Sequence, residues 1–247
     1  FIPVFVFILP DWSLPLEAVP FLVVSALAET VYFLGLGKAY EEGDLSVVYP
    51  VARSSPVFVA LAAAVLLGEE ITAWGMVGIL VIFLGVYTLH LKSLSVRDLA
   101  QPIRSLREPS SMYALVAALG TTVYSISDKL GVTAVDPLRY SLWLGFFITG
   151  CLAAVTLYRR GLKAVLAEAD GRLMRASAAG FLMKGGYILV LVALSLAQVS
   201  YILALRQVSV VLGALMGVIL LGERYGRIRV ASSFIIFVGV YILGALA

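Results

Sequence analysis

"LLGEEITAWGMVGILVIFLGVYTL", Leu66 to Leu89, returns later in the chain as "LLGERYGRIRVASSFIIFVGVYIL", Leu220 to Leu243. The two stretches align at an offset of 154 without a gap. Ten of 24 positions are identical, including the frame "IF-GVY-L". The register also holds upstream: Ser46-Val47-Val48 falls on Ser200-Tyr201-Ile202, and Arg53-Ser54-Ser55 falls on Gln207-Val208-Ser209. A gap-free match of this length is more than shared apolar composition, and an internal repeat decides the architecture before any single residue does.

Composition says what kind of solvent the repeat meets. Hydrophobic residues make up 62% of the 247 and charged residues 13%, with a mean hydropathy of +1.03. Soluble domains are about 45–50% apolar and about 25% charged, so the chain is a membrane protein. Its single cysteine, Cys151, excludes an internal disulfide. The pI of 9.0 comes from a few basic loops and carries no argument for nucleic acid.

A membrane-spanning helix takes about 20 mostly apolar residues. Such runs are expected near 20–40, 46–67, 73–91, 112–131, 138–158, 177–197, 201–221 and 228–246. In a bilayer the backbone must satisfy its own hydrogen bonds, so each is read as a helix. Residues 1–9, "FIPVFVFIL", are too short to cross. They lack the basic flank and cleavage site of a signal peptide and read as the tail of a truncated span. The fold class expected is all-α: a polytopic bundle of two five-helix repeats, here eight full spans plus a partial one. The boundaries are 1–91 for the first, incomplete repeat, 92–111 for a basic linker and 112–247 for the second repeat. The offset puts about 40 further residues ahead of Phe1.

From the span at 73–91 to its copy at 228–246 the chain crosses five times, so the copies point in opposite directions. Inverted repeats of this kind build many secondary transporters. Charge follows the same parity. The loop "GEEIT", 68–72, has no basic residue, whereas its partner carries Arg224, Arg227 and Arg229. Arg159, Arg160, Lys163, Arg172 and Arg175, and the linker's Lys92, Arg97, Arg104 and Arg107, fall on the same side. That side is expected to be cytoplasmic, with the C-terminus outside.

Two inverted five-helix halves, with "LLGE" closing the fourth helix of each, resemble the drug/metabolite transporter superfamily, EamA type. The repeated "LLGE[ER]", the following span ending "GVY-L" and "YSISDKLGV", Tyr124 to Val132, carry the resemblance. It implies a carrier of small metabolites in the bacterial inner (plasma) membrane, with efflux among the family's directions. Two features depart from the pattern. The first helix, which carries a proton-coupling carboxylate in the small multidrug relatives, is missing. Many members also keep both termini cytoplasmic, against the orientation of these basic loops.

Charges inside spans are expensive and mark function by default. Glu29 lies nine residues into its span; Arg53 lies eight residues into the next, about 12 Å deep at about 1.5 Å per residue. In the second half Lys184 falls one position after the counterpart of Glu29, and Arg206 one before that of Arg53. These four are expected at the substrate site, the arginines holding an acidic group and Glu29 pairing with Arg53. A purely structural ion pair is the competing reading. "YPVARSSPV", Tyr49 to Val57, puts Pro50 and Pro56 inside a span, where proline kinks a helix. Carbonyls freed beside Ser54 and Ser55 would line a cavity, together with Tyr124. The counterpart, "ALRQVSV", has no proline, so the halves are expected to differ in stiffness or function.

Other residues read as structural. Lys38 snorkels to the interface, Asp128 and Lys129 end a span at the interface, and His90 sits at a span end. "GALMG", Gly213 to Gly217, packs small residues against a neighbouring helix. Neither a metal-ligand cluster, a phosphate loop nor a nucleophile–base pair is visible, so no enzyme, cofactor or metal is expected. The function expected is a secondary transporter of a small polar metabolite, anionic or zwitterionic and amino-acid-like, working by alternating access. Its partners are that substrate, the lipid bilayer and a coupling proton or ion, with no nucleic acid, in a monomer or weak homodimer. The alternative is a non-transporting membrane subunit or lipid-handling partner of the same fold.

Overall fold

A computed structural model describes residues 9, 11–89, 91, 95–169, 173–221 and 226–247. His90, Lys92, Arg172, Arg224 and nearly all of the segment 1–9 lie outside the described residues, as do the side chains of Arg175, Arg227 and Arg229 and those within Gly213–Gly217 that decide its packing.

Among the described residues the chain forms eleven α-helices and no strand. In order they are α1 (Val19–Glu42), α2 (Leu45–Ala52), α3 (Ser55–Leu66), α4 (Ala73–Leu89), α5 (Val96–Arg104), α6 (Pro109–Ala134), α7 (Pro137–Ala169, kinked at Gly161, where φ is +73°), α8 (Leu173–Leu196), α9 (Val199–Leu205), α10 (Val208–Leu221) and α11 (Gly226–Ala245). Each apolar run read from the sequence falls on helix, two of them on a pair of short helices. Among the described residues four stretches are long and apolar enough to cross a bilayer: Leu16–Glu42, Val47–Leu66, Pro137–Lys163 and Ala176–Leu196. Ala73–Leu89, Val199–Leu212 and Val230–Ala245 are shorter apolar helices. The basic linker is not featureless. It forms α5, whose first turn is capped by Ser95 Oγ accepting from the Asp98 N–H at 3.2 Å.

The helices form two compact units, residues 1–30 with 127–197, and 31–126 with 198–247. In the first, α7 and α8 pack with the start of α1 and the end of α6. Asp11 and Arg139 tie its N-terminal segment to α7: Arg139 Nη1 pairs with Asp11 Oδ2 at 3.0 Å, and Arg139 Nε donates to Ser13 O at 2.9 Å. The Ser13 N–H and hydroxyl both donate to Asp11 and, with Arg139, hold its carboxyl below the usual carboxylate range.

In the second unit the dominant pair is α4 against α11. Their backbones meet at glycines. A Cβ on Gly85 would stand 3.0 Å from Ser232 O and from Ile236 N. One on Gly239 would stand 2.9 Å from Gly78 O and 2.8 Å from Ile82 N. Close approach at small residues is how apolar helices associate where the hydrophobic effect gives no driving force. Ile79, Ile82, Val86 and Ile236 fill the buried space around the crossing, and the Thr88 and Ser232 hydroxyls bond each other at 2.9 Å. The contacts are reciprocal: Gly85 meets Ile236 and Gly239 meets Ile82, and each of these types recurs at the offset of 154.

Candidate functional site

Two helix interruptions create the site. Between α2 and α3 the chain tightens: Arg53 N–H bonds Tyr49 O (3.0 Å), Ser54 N–H bonds Val51 O (3.2 Å) and Val57 N–H bonds Ser54 O (3.1 Å). Between α9 and α10 the same three bonds recur: Arg206 to Ile202 (3.0 Å), Gln207 to Ala204 (3.0 Å) and Val210 to Gln207 (3.0 Å). Every pair is shifted by 153, one less than the offset of the LLGE stretch. Arg53 and Arg206 are therefore structural equivalents, a match that the sequence offset misses by one.

Pro50 lies within α2 and Pro56 in the first turn of α3. The second interruption contains no proline, so proline is not the common cause, and the expected difference in stiffness finds no support in a break confined to one half. A serine hydroxyl attends each break instead. Ser54 Oγ donates to Val51 O at 2.6 Å, and Ser209 Oγ donates to Arg206 O at 2.7 Å. Such local bonds compete with regular helix pairing.

Both interruptions open onto one cavity within the second unit, about 420 Å³ of empty space counting its mouth. Ala52, Arg53 and Ser55 line it from the first break, and Leu203, Arg206 and Gln207 from the second. Tyr32 and Leu36 of α1 and Thr121 and Tyr124 of α6 complete the wall. The Tyr32 and Tyr124 rings stand edge to face, centroids 5.9 Å apart. The Arg53 guanidinium lies 5.3 Å from the Tyr49 ring centroid, a cation–π contact one turn back on its own helix. Of the residues singled out in sequence, Arg53, Arg206, Ser55 and Tyr124 thus share one wall. Ser54 turns back onto its own helix. Gln207 is a neutral amide that drew no attention, although the offset of 154 sets it opposite Arg53.

Glu29 and Lys184 fall in the first unit, whereas Arg53 belongs to the second. There Lys184 Nζ donates to Ser141 O at 2.6 Å and lies within electrostatic reach of Glu29 and Asp128. Asp128 is fully buried within the protein, and α6 runs on past it to Ala134. Its carboxylate accepts from Ser25 Oγ (2.6 Å), from Tyr140 Oη (2.9 Å) and from the Tyr187 hydroxyl. Gly131 makes room, since a Cβ there would collide with the Tyr140 ring. Lys129, inside α6, reaches the end of α8: its ammonium donates to Leu194 O (2.6 Å) and to Ala197 O (2.9 Å), one residue past that helix. Lys38 reaches Glu42 at 3.7 Å on an exposed face.

Arg53 and Arg206 give the cavity wall two sets of hydrogen-bond donors. Guanidiniums offer donors in a planar fork that suits carboxylates, and they stay charged at any accessible pH. Among the described residues no group of His, Cys, Asp and Glu could hold a metal ion. A comparison with curated proteins finds no match. The family model for the EamA-like transporter family matches residues 1–91 and 109–245. With most of its length accounted for by that match, and with apolar helices long enough to cross a bilayer, the chain belongs to the EamA-like transporter family of integral membrane proteins that move drugs and metabolites.

Proposed function

We propose that the chain carries a small anionic or zwitterionic metabolite, amino-acid-like in its polar end, and that Arg53 and Arg206 hold the acidic group. The observation that carries this reading is the pairing of two structurally equivalent arginines in one cavity, each at a break in an apolar helix. An arginine within an apolar span is costly, and a scaffold or lipid-handling subunit has no need of two on one cavity wall. Broken helices around a central site are a recurrent device of inverted-repeat carriers. The reciprocal crossing of α4 and α11 and the two-part family match support reading 1–91 and 112–247 as such repeats. Alternating access would then come from one repeat rocking against the other.

The test is transport in proteoliposomes containing the complete protein. Arg53→Gln and Arg206→Gln should each reduce flux of an acidic or zwitterionic substrate by tenfold or more, at unchanged membrane abundance. Normal transport by both variants would place the site elsewhere, and loss of the protein from the membrane would make the arginines structural.

A further inference from the structure

The two breaks superpose in their backbone bonding but not in their side chains. Where the first has Ser54, the second has Gln207. Ser54 spends its hydroxyl on its own helix. Gln207 is 4% exposed, lines the cavity, and its Oε1 has no hydrogen-bond partner among the described residues. A buried acceptor left without a donor is destabilising and calls for an explanation.

Arg53 and Arg206 present donors only, and the Gln207 amide has N–H donors of its own beside its Oε1. That oxygen repels a carboxylate and attracts an N–H or O–H. A ligand that satisfies all three groups carries an acid at one end and a donor close beside it.

We infer that Gln207 is a specificity residue: its Oε1 accepts a hydrogen bond from the substrate, so the cavity takes acids bearing an adjacent amine or hydroxyl and discriminates against the same acids without that donor. The inference rests on the reading of this cavity as the substrate site and deepens it, naming the residue that selects the amine or hydroxyl beside the acid. A pocket built to bond a particular N–H or O–H rejects the analogue lacking it far more strongly than a pocket that merely fits its shape.

The experiment uses the complete protein in nanodiscs and a matched series of probes. For each of several side chains the series holds the 2-amino acid, the 2-hydroxy acid and the unsubstituted acid, and affinity is read by thermal stabilisation and by competition. The wild type should prefer donor-bearing acids by about tenfold or more. Gln207→Met should bring that preference down to near unity, and Gln207→Asn, which withdraws the carbonyl by one methylene, should weaken it if the Met variant fails to insert. Unsubstituted acids binding the wild type as tightly would overturn the role of Gln207 while leaving the arginine reading standing. A preference that survives both variants would assign the acceptor to another group and overturn it too. If no acid in the series binds the wild type at all, the arginine reading falls and this one with it.

Discussion

Glu69 caps the helix that begins at Val199 through Ser200: its Oε2 accepts from the Ser200 hydroxyl at 2.6 Å and from the Ser200 N–H at 3.2 Å, while its Oε1 accepts from the Val199 N–H at 2.7 Å. This gives a physical meaning to the letters "LLGE". Gly68, at φ +66°, adopts the left-handed conformation that stops α3, and the chain then turns so that the next side chain reaches the first turn of α9. Close by, the Thr72 N–H donates to the Tyr201 hydroxyl at 3.3 Å. The helix so anchored ends directly at Arg206 and Gln207 in the cavity wall. Glu69→Gln should lower the unfolding midpoint in detergent, by about 1–2 kcal/mol in stability. Ser200→Ala should cost less, and the two should couple in a double-mutant cycle. The exposed neighbour Glu70→Gln is the control. Equal effects at positions 69 and 70 would refute the cap.

How much of this was legible beforehand depended on which forces act at long period. Bilayer thickness imposes runs of fixed length, so α1, α6, α7, α8 and α11 lay close to the apolar runs. The repeat was legible because it is written in consecutive letters. What stayed hidden depends on local geometry. The equivalence of Arg53 and Arg206 appears only once the turns at each break shift the register from 154 to 153. "DKL" resembles a span end and does not show the burial of Asp128, which hydroxyls from distant Ser25, Tyr140 and Tyr187 make tolerable. Gln207 has no charge to draw the eye, and its isolation is visible only in three dimensions.

Asp128 itself yields a prediction. Three hydroxyls donate to one buried carboxylate, and an amide in its place offers a single accepting oxygen and two unwanted donors. Asp128→Asn should destabilise the protein by about 2–4 kcal/mol. Tyr140→Phe and Tyr187→Phe should each cost about 1 kcal/mol. Thermal unfolding in detergent checks the order. An Asn variant as stable as the wild type would mean that the charge of the carboxylate is unnecessary to the packing.

The exposed Asp11 gives a pH dependence. Its carboxyl is held below the ordinary range, first by the Ser13 N–H, then by the Ser13 hydroxyl and Arg139. A depressed folded-state value means that its contribution is present above the unfolded carboxylate range and is lost as pH falls through the folded one. Trp143 Nε1 donates to Ser13 O at 3.2 Å, so its fluorescence reports on the anchor. Acidification should alter that signal in the wild type and leave it largely unchanged in Asp11→Asn. The same acid transition in both proteins would dissociate the anchor from Asp11.

The crossing of α4 and α11 gives a prediction in which the sign matters more than the size. In an open helix Gly→Ala is favourable by up to about 1 kcal/mol. Gly37 and Gly186 are such sites, with nothing within 4 Å of an added Cβ. Gly239 is the opposite case: its Cβ would meet Gly78 O at 2.9 Å and Ile82 N at 2.8 Å. The nearest atom, Ile82 Cγ1 at 2.6 Å, belongs to a side chain, but these two obstacles are backbone, so the helices themselves must separate. Gly239→Ala should therefore destabilise by about 1–3 kcal/mol, and Gly85→Ala, set against Ser232 O and Ile236 N at 3.0 Å, should follow it closely because the contact is reciprocal. Gly37→Ala and Gly186→Ala should be neutral or stabilising. Unfolding of the four variants in one detergent decides the matter: a stabilising alanine at 239 or 85 would mean that the two helices do not approach at these glycines, and a large asymmetry between the two would remove the reciprocity on which the repeat reading leans.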